Sequence, residues 1–272
     1  MKKLLTALLA GVLAVVGLFT FTACQAKDVR IAVQKGTTSL FYAECLKGTE
    51  TVSYDTFALA AKDMLNGNVD YVFVDKTTAK SLKKDISGLK IVDIALSTEY
   101  YGIGIDKNQP ELNTQINAIL ESKAAEIQAI KDKYMAGDED NYVGVTSAVK
   151  DVNNNEGQLV VATNAEFDPW EYKEKNQYFG IDIEIAKLIA DELNLELVIE
   201  DMDFDLVVGS VGKHGVDIAM SGITITAERA AAINFSNPYY VESIVVVCKE
   251  GDTTFDSVGT VVDVLSIICK NK

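Results

Sequence analysis

The chain has 272 residues, 48% of them hydrophobic, enough to bury a core and longer than the roughly 100–150 residues of a common single domain, so two lobes are expected. Against 25 Lys and Arg stand 40 Asp and Glu, a net charge of -15 that repels phosphate backbones and excludes nucleic acid as a partner. A single His (His214) and four Cys with no Cys-x-x-Cys spacing leave little from which to build a transition-metal site, and no cofactor is expected.

Residues 1–23 read as a targeting segment: Lys2 and Lys3 precede an apolar run over 4–18, and Phe21-Thr22-Ala23 leads into Cys24. This exit resembles a bacterial lipoprotein lipobox, with Phe21 where Leu is usual. The resemblance implies cleavage before Cys24 and acylation of that cysteine, an anchor to the outer face of the cell membrane that holds because it carries two or more chains. An uncleaved membrane-spanning helix over 4–23 is the competing reading, since that run has about the required length. Cys45, Cys248 and Cys269 are odd in number, so at least one stays unpaired. Buried small side chains and a Cys248–Cys269 bridge both remain open.

In chain order, 29–33 reads as a strand, 39–46 and 55–66 as helices and 71–75 as a strand. A long helix, polar on one side, is expected over 109–134. Residues 136–158, with GDED and Asn153-Asn154-Asn155, read as a mobile surface linker. A strand over 159–163 follows, then a helix marked by Ile181, Ile185, Leu188 and Ile189, then strands over 195–200 and 216–220. This alternation predicts an α/β fold with mainly parallel sheets. A weak internal echo, NGNVDYVFVD over 66–75 and KHGVDIAMSG over 213–222, sets Asp75 and Gly222 at matching strand ends. In open α/β sheets ligands sit outside such carboxyl ends.

The segment VATNAEFDPWEY (161–172) leaves its strand and carries Asn164, Phe167 and Trp170 into a loop stiffened by Pro169. Aromatic rings there can wall a pocket, although core aromatics under a loop would look the same. After Met220, Ser221-Gly222 exposes backbone polar groups, Thr224 offers a hydroxyl, and Arg229 lies in the first turns of a helix beginning near Thr226. A guanidinium fork pairs bidentately with a carboxylate; a surface Arg229 beside ordinary capping residues is the plainer alternative. Upstream, Gly36-Thr37-Thr38 joins a strand to a helix whose free amides suit an anion. Asp75 suits an ammonium, although turns and caps use such residues constantly.

Together these segments resemble the solute-binding proteins of polar amino-acid ABC importers, the family that includes the glutamine- and histidine-binding proteins. The shared motifs fall at 163–172, 180–186, 202–204, 222–229 and 235–240 for one lobe and at 33–38 and 69–75 for the other, covering about 29–249. The resemblance implies a two-lobed periplasmic-binding-protein type II fold with two crossover hinge strands. It implies a monomeric receptor, not an enzyme, that closes on a free amino acid and delivers it to the permease of an ABC importer. Position by position, Arg229 would hold the α-carboxylate with Thr224 and the Thr37-Thr38 loop, and Gly222 and Asp75 would hold the α-ammonium. Phe167 and Phe204 would sandwich the side chain, while Asn164, Ser221, Gln34 and Val74 shape its far end; Trp170 lies on the motif. For want of an acidic side-chain pocket, a polar or uncharged amino acid is expected over a basic one. The competing functions are a periplasmic dehydratase-like enzyme, with Glu166 as the unassigned motif carboxylate, and a sensory ligand-binding domain, for which no signalling segment follows Lys272.

The order of segments departs from the family, because the GTT lobe comes first. Residues 98–106 resemble the return crossover and 109–134 the family's final helix, and only then does the usual beginning appear. A circular permutation is therefore expected, which exposed loops tolerate. The GTT lobe would span 24–97 and be completed by 251–272, and the Arg lobe would span 98–250 with the linker at 136–158. The crossovers would lie near 97–104 and 242–247, with the lipid on the GTT lobe. Exchange of lobes between two chains is the alternative.

Overall fold

Residues 28–153 and 156–269 are described by a computed structural model; the targeting segment and Cys24 lie outside them. The chain begins with β1 (Val29–Gln34), α1 (Thr38–Glu44), β2 (Thr49–Tyr54), α2 (Phe57–Asn66), β3 (Tyr71–Asp75), α3 (Lys76–Asp85) and β4 (Leu89–Val92). The Thr37 and Thr56 hydroxyls accept the Leu40 and Leu59 amides and start α1 and α2. Gly67, at φ 82, ends α2 in the left-handed conformation that glycine adopts at least cost.

A hinge strand β5 (Glu99–Tyr101) leads to β6 (Gly104–Ile105), α4 (Pro110–Ser122) and α5 (Ala124–Ala136). The single helix expected over 109–134 is thus two. Lys123 leaves helical geometry between them (φ -103, ψ 17), with its ammonium paired to Glu126 and Glu192. The apolar stripe continues across the break, through Leu112, Ile116, Ile119 and Ile127, which is why the pattern did not reveal it. The expected free tether at 136–158 is also corrected over its described part. Val143 N–H donates to Glu184 at 3.0 Å, Val145 pairs with Tyr178, and Ala148 N–H donates to Leu197 at 2.8 Å, so the segment is strapped along the second unit.

Next come β7 (Gln158–Thr163), the short strands β8 (Glu166–Phe167), β9 (Glu171–Glu174) and β10 (Gln177–Phe179), α6 (Ile181–Glu192), β11 (Glu196–Asp201), α7 (Phe204–Ser210) and β12 (Ile218–Ala219). The chain continues through α8 (Ala227–Ala232), β13 (Asn234–Phe235), the second hinge strand β14 (Tyr240–Glu242), β15 (Ile244–Lys249) and α9 (Val261–Cys269).

Two five-stranded sheets result, ordered β2-β1-β3-β15-β4 and β11-β7-β12-β6-β13. In each, the first three strands are parallel and the fourth runs against them. Antiparallel pairing of β14 with β5 forms the two-stranded connection between the units. The expected two-lobed α/β architecture with two crossover strands is therefore present. Its boundary moves: β15 pairs with β3 and β4, so Ile244 onward belongs to the GTT lobe, where the sequence reading kept residues through 250 with the Arg lobe. The second crossover accordingly lies at Tyr240–Glu242, just before the expected 242–247. An apolar strand buried on both faces bears no mark of which sheet will take it.

In α9, Val264 and Ile268 are buried against Val29, Ile31 and Val33 of β1, so the C-terminal segment completes the first lobe. Cys45, Cys248 and Cys269 are all free, and the Cys248–Cys269 bridge is not formed.

Candidate functional site

The lobes meet at a small, nearly closed cavity lined by Gln34, Thr37, Thr38 and Asp75 of the first and Phe167, Phe204, Gly222, Thr224 and Arg229 of the second. The first set comes from the ends of β1 and β3 and the turn into α1. The second comes from the strand exits after β7 and β12, the start of α7, and α8. Parallel strands place their carboxyl ends together, so both lobes present these loops to the same space.

Arg229 sits one turn into α8, where the Thr226 hydroxyl caps the helix by accepting its N–H at 3.1 Å. Its Nη1 donates to the Thr224 carbonyl and its Nη2 to the Gly36 carbonyl of the other lobe, both at 2.9 Å. Two of five donors are thus used, leaving three on a side chain that lines the cavity. The guanidinium also lies over the Phe204 ring, 5.7 Å from its centroid. Burial lowers the Arg229 pKa, against the charges of Glu99 and Asp75.

Asp75 ends β3 and is buried, and its carboxylate accepts the Tyr101 hydroxyl at 2.8 Å. Burial, reinforced by Glu242 and Glu99, pushes its pKa up to about 7 despite that hydrogen bond. The two lobes therefore confront one another with an anion short of a counter-charge and a cation short of solvent. Each is a group that a charged ligand would relieve.

Further contacts close the seam. Gln34 Nε2 donates to the Asn164 carboxamide oxygen at 3.0 Å, and Trp170 Nε1 donates to the Thr77 hydroxyl at 3.0 Å. Phe167 packs on Phe57 with ring centroids 6.0 Å apart. Gly36 (φ 74) has no room for a side chain, since a Cβ there would stand 2.8 Å from the Asp205 Cα.

Most of the expected residues converge here, and four are displaced from the lining. Trp170 is fully buried between Tyr101, Tyr239 and Tyr240 and holds the lobes together rather than facing the cavity. Ser221 turns its hydroxyl to Glu171, and Asn164 lies behind the wall, donating to Met202 O. Val74 belongs to the core. Glu166 is exposed and lies outside the cavity. Sequence reasoning missed Tyr101, Glu171, Asp182 and Tyr239, which support the lining from behind. Each lay within a segment singled out for its motif, but no role attaches to it until the fold brings it behind the lining.

Residues 159–266 match the family described as bacterial extracellular solute-binding proteins, family 3. This region of the chain belongs to that family. Among its relatives, the arginine-binding extracellular protein ArtP of Bacillus subtilis is 36% identical over 34% of this chain and 36% of its own length. Cyclohexadienyl dehydratase of Pseudomonas aeruginosa is 36% identical over 30% of this chain and 31% of its own. Among solved structures, the arginine-bound form of domain 1 from TmArgBP is 30% identical, over 46% of this chain and 97% of that one, with a TM-score of 0.30. The chain thus spans about a third of the length of the curated relatives it matches. The matched region takes in the lobe carrying Arg229 from β7 onward and, through β15 and α9, the C-terminal part of the other lobe.

Proposed function

We propose that the protein is an exported, monomeric receptor that closes its two lobes around a free amino acid and delivers it to the permease of an ABC importer, with a lipid on Cys24 as its membrane anchor. The observation that carries this reading is the charge of the cavity wall. Arg229 arrives from one lobe and Asp75 from the other, and they are the only ionisable side chains among the described lining residues. Burying either charge unpaired costs several kcal/mol. A zwitterion compensates both at once and so favours the closed state over the open one. The names of relatives such as the arginine-binding protein ArtP support an amino acid as the ligand class.

Within that class we favour a polar or uncharged side chain. The α-ammonium occupies Asp75, and the described lining offers no second carboxylate for a basic group. The dehydratase among the relatives gives an enzyme its place as the second reading. Such chemistry requires a general acid over the substrate. Glu166, the candidate, is exposed and off the lining, which favours binding without turnover.

The order of elements supports circular permutation. The strapped segment between α5 and β7 would join the ends that are usual in the family, and α9 packed on β1 brings the present ends of the fold into one lobe. The deciding experiment is a thermal-shift screen across the amino acids. A ligand at 100 times its dissociation constant raises stability by about 2.7 kcal/mol. A shift with a polar or uncharged amino acid is expected; a larger one with arginine would overturn the side-chain preference. No shift with any of them, or conversion of the amino acid during incubation, would overturn the reading itself.

A further inference from the structure

Behind the Ser221–Gly222 loop lies a cluster of carboxyl groups that the ligand cannot touch. Glu171 in β9 and Asp182 in α6 are both fully buried. They flank the loop from opposite sides of one turn: Asp182 N–H donates to Trp170 O at 2.9 Å, next to Glu171 in the chain. Asp182 accepts the Gly222 N–H at 2.8 Å and the Tyr239 hydroxyl at 2.7 and 2.9 Å on its two oxygens. Glu171 Oε1 accepts the Ser221 hydroxyl, whose oxygen in turn accepts the Asn164 N–H at 3.3 Å. Glu171 Oε2 has no partner.

These contacts are unequal, and the inequality says where charge can reside. A buried carboxylate is tolerable when donors surround it. Asp182 has such donors on both oxygens, whereas an ionised Glu171 would leave one oxygen bare. The charges acting on Glu171 are those of Asp182 and Asp201, both negative, and no cation offsets them. Two carboxylates in one dry cluster cannot both ionise cheaply, so one proton is retained.

We propose that Glu171 and Asp182 are positioning residues for the ligand loop, a carboxylic acid and a carboxylate that together hold one proton and fix Ser221, Gly222 and Asn164 against the cavity. Asp182 anchors the Gly222 amide, which fixes the backbone at φ 53 where Gly222 lines the site. Neutral Glu171 anchors Ser221 without adding a second negative charge behind the ligand's ammonium. The directions of titration agree. Burial and then Asp182 hold Glu171 well above the usual carboxylate range, while burial holds Asp182 at about 7 against its hydrogen bonds to Gly222 and Tyr239.

This inference rests on the amino-acid reading only for its effect on binding, so its test has two arms. In the first, the wild-type chain, Glu171→Gln and Asp182→Asn are compared by infrared spectroscopy without ligand near pH 8, above the value of about 7 for Asp75 and Asp182. A protonated-carboxyl carbonyl band is expected in the wild type and absent in Glu171→Gln. Its absence from the wild type, or its persistence in Glu171→Gln, overturns the shared proton. In the second arm, L-glutamine and L-arginine are titrated into the wild type, Glu171→Gln and Glu171→Ala. Alanine strands the Ser221 hydroxyl and should weaken the probe that binds by roughly 5- to 150-fold, the range expected for a buried unsatisfied group. Glutamine, which still accepts from Ser221, should recover most of that loss. Equal losses in the two variants, or no loss in alanine, overturn the positioning role. If neither probe binds the wild type, the screen across the amino acids decides the functional reading, and the infrared arm decides the carboxyl pair alone.

Discussion

The two lobes build the same sheet from chain supplied in different orders. In each, three parallel strands are followed by one that runs the other way and arrives directly from a hinge strand: β14 feeds β15, and β5 feeds β6. The third parallel strand is β3 in one lobe and β12 in the other, the two halves of the echo between 66–75 and 213–222. What differs is the chemistry hung on the equivalent strand ends. β3 ends in a carboxylate, Asp75, and β12 leads through Gly222 and Thr224 to a cation, Arg229. A common scaffold thereby becomes complementary to a ligand with a charge of each sign, and the difference between the lobes, rather than their likeness, defines what fits between them.

The strongest way to break that comparison is to remove the cationic half. Arg229→Ala should cost about 3–5 kcal/mol of ligand affinity, since it leaves the α-carboxylate buried without its partner. Calorimetric titration checks this, and near-unchanged affinity would remove Arg229 from the site. A smaller effect should come from the meeting of the lobes itself. Gly36→Ala places a methyl group 2.8 Å from the Asp205 backbone and forces a left-handed φ of 74. A left-handed non-glycine residue costs about 1–2 kcal/mol, before any clash is counted. Because the clash exists only when the lobes are closed, small-angle scattering with ligand should report a larger radius of gyration for this variant than for the wild type. An identical compaction in both would show that Gly36 is not at the closing seam.

Much of this was legible in the sequence because it is local. The bounds of β3 match the expected 71–75, and the stripe Ile181, Ile185 and Ile189 did mark a buried helix face. Arg229, Thr224, Gly222, Asp75 and the GTT turn were found because strand ends and helix starts carry recognisable chemistry. What was illegible depends on pairing between distant residues. The stretch 242–247 reads as a crossover, but β15, which starts within it, pairs with β3 and β4, more than 150 residues upstream. Trp170 and Phe167 stand three residues apart in one loop, and nothing in their types says that one faces the cavity while the other wedges among three tyrosines. Glu171 and Asp182 lie on two separate motifs, and only their shared burial behind Ser221 and Gly222 gives them a role.

The anionic half sharpens the comparison through pH. Without ligand, Asp75 is held at about 7, first by burial and then by Glu242, whereas an ammonium needs it ionised. Binding should therefore release a proton below that value, and affinity should be full above pH 7 and fall by up to about tenfold per unit below it. Calorimetry at pH 6 in buffers of different ionisation enthalpy measures the proton directly, and buffer-independent heats would contradict the role given to Asp75. For the unliganded fold the sign is opposite. A carboxyl group raised from about 4 when unfolded favours the folded state while protonated, so its contribution is full below pH 4 and lost as pH rises through 7.

The smallest expected effect tests whether closure depends on the charges alone. Gln34 reaches across the seam to Asn164 and also donates to Asp55 O at 2.9 Å, so its carboxamide is a neutral tie between the lobes beside the charged ones. Gln34→Ala should weaken binding by about 0.5–1.5 kcal/mol, the usual net worth of such a hydrogen bond. Pairing it with Asn164→Ala in a double-mutant cycle isolates the bond between lobes, since Asn164 also donates to Met202 O and each single variant loses more than the shared contact. A coupling near zero would mean that the tie contributes nothing to closure. Closure would then rest on the opposed charges of Asp75 and Arg229 acting through the ligand and on the remaining seam contacts, Arg229 to the Gly36 carbonyl and Trp170 to Thr77.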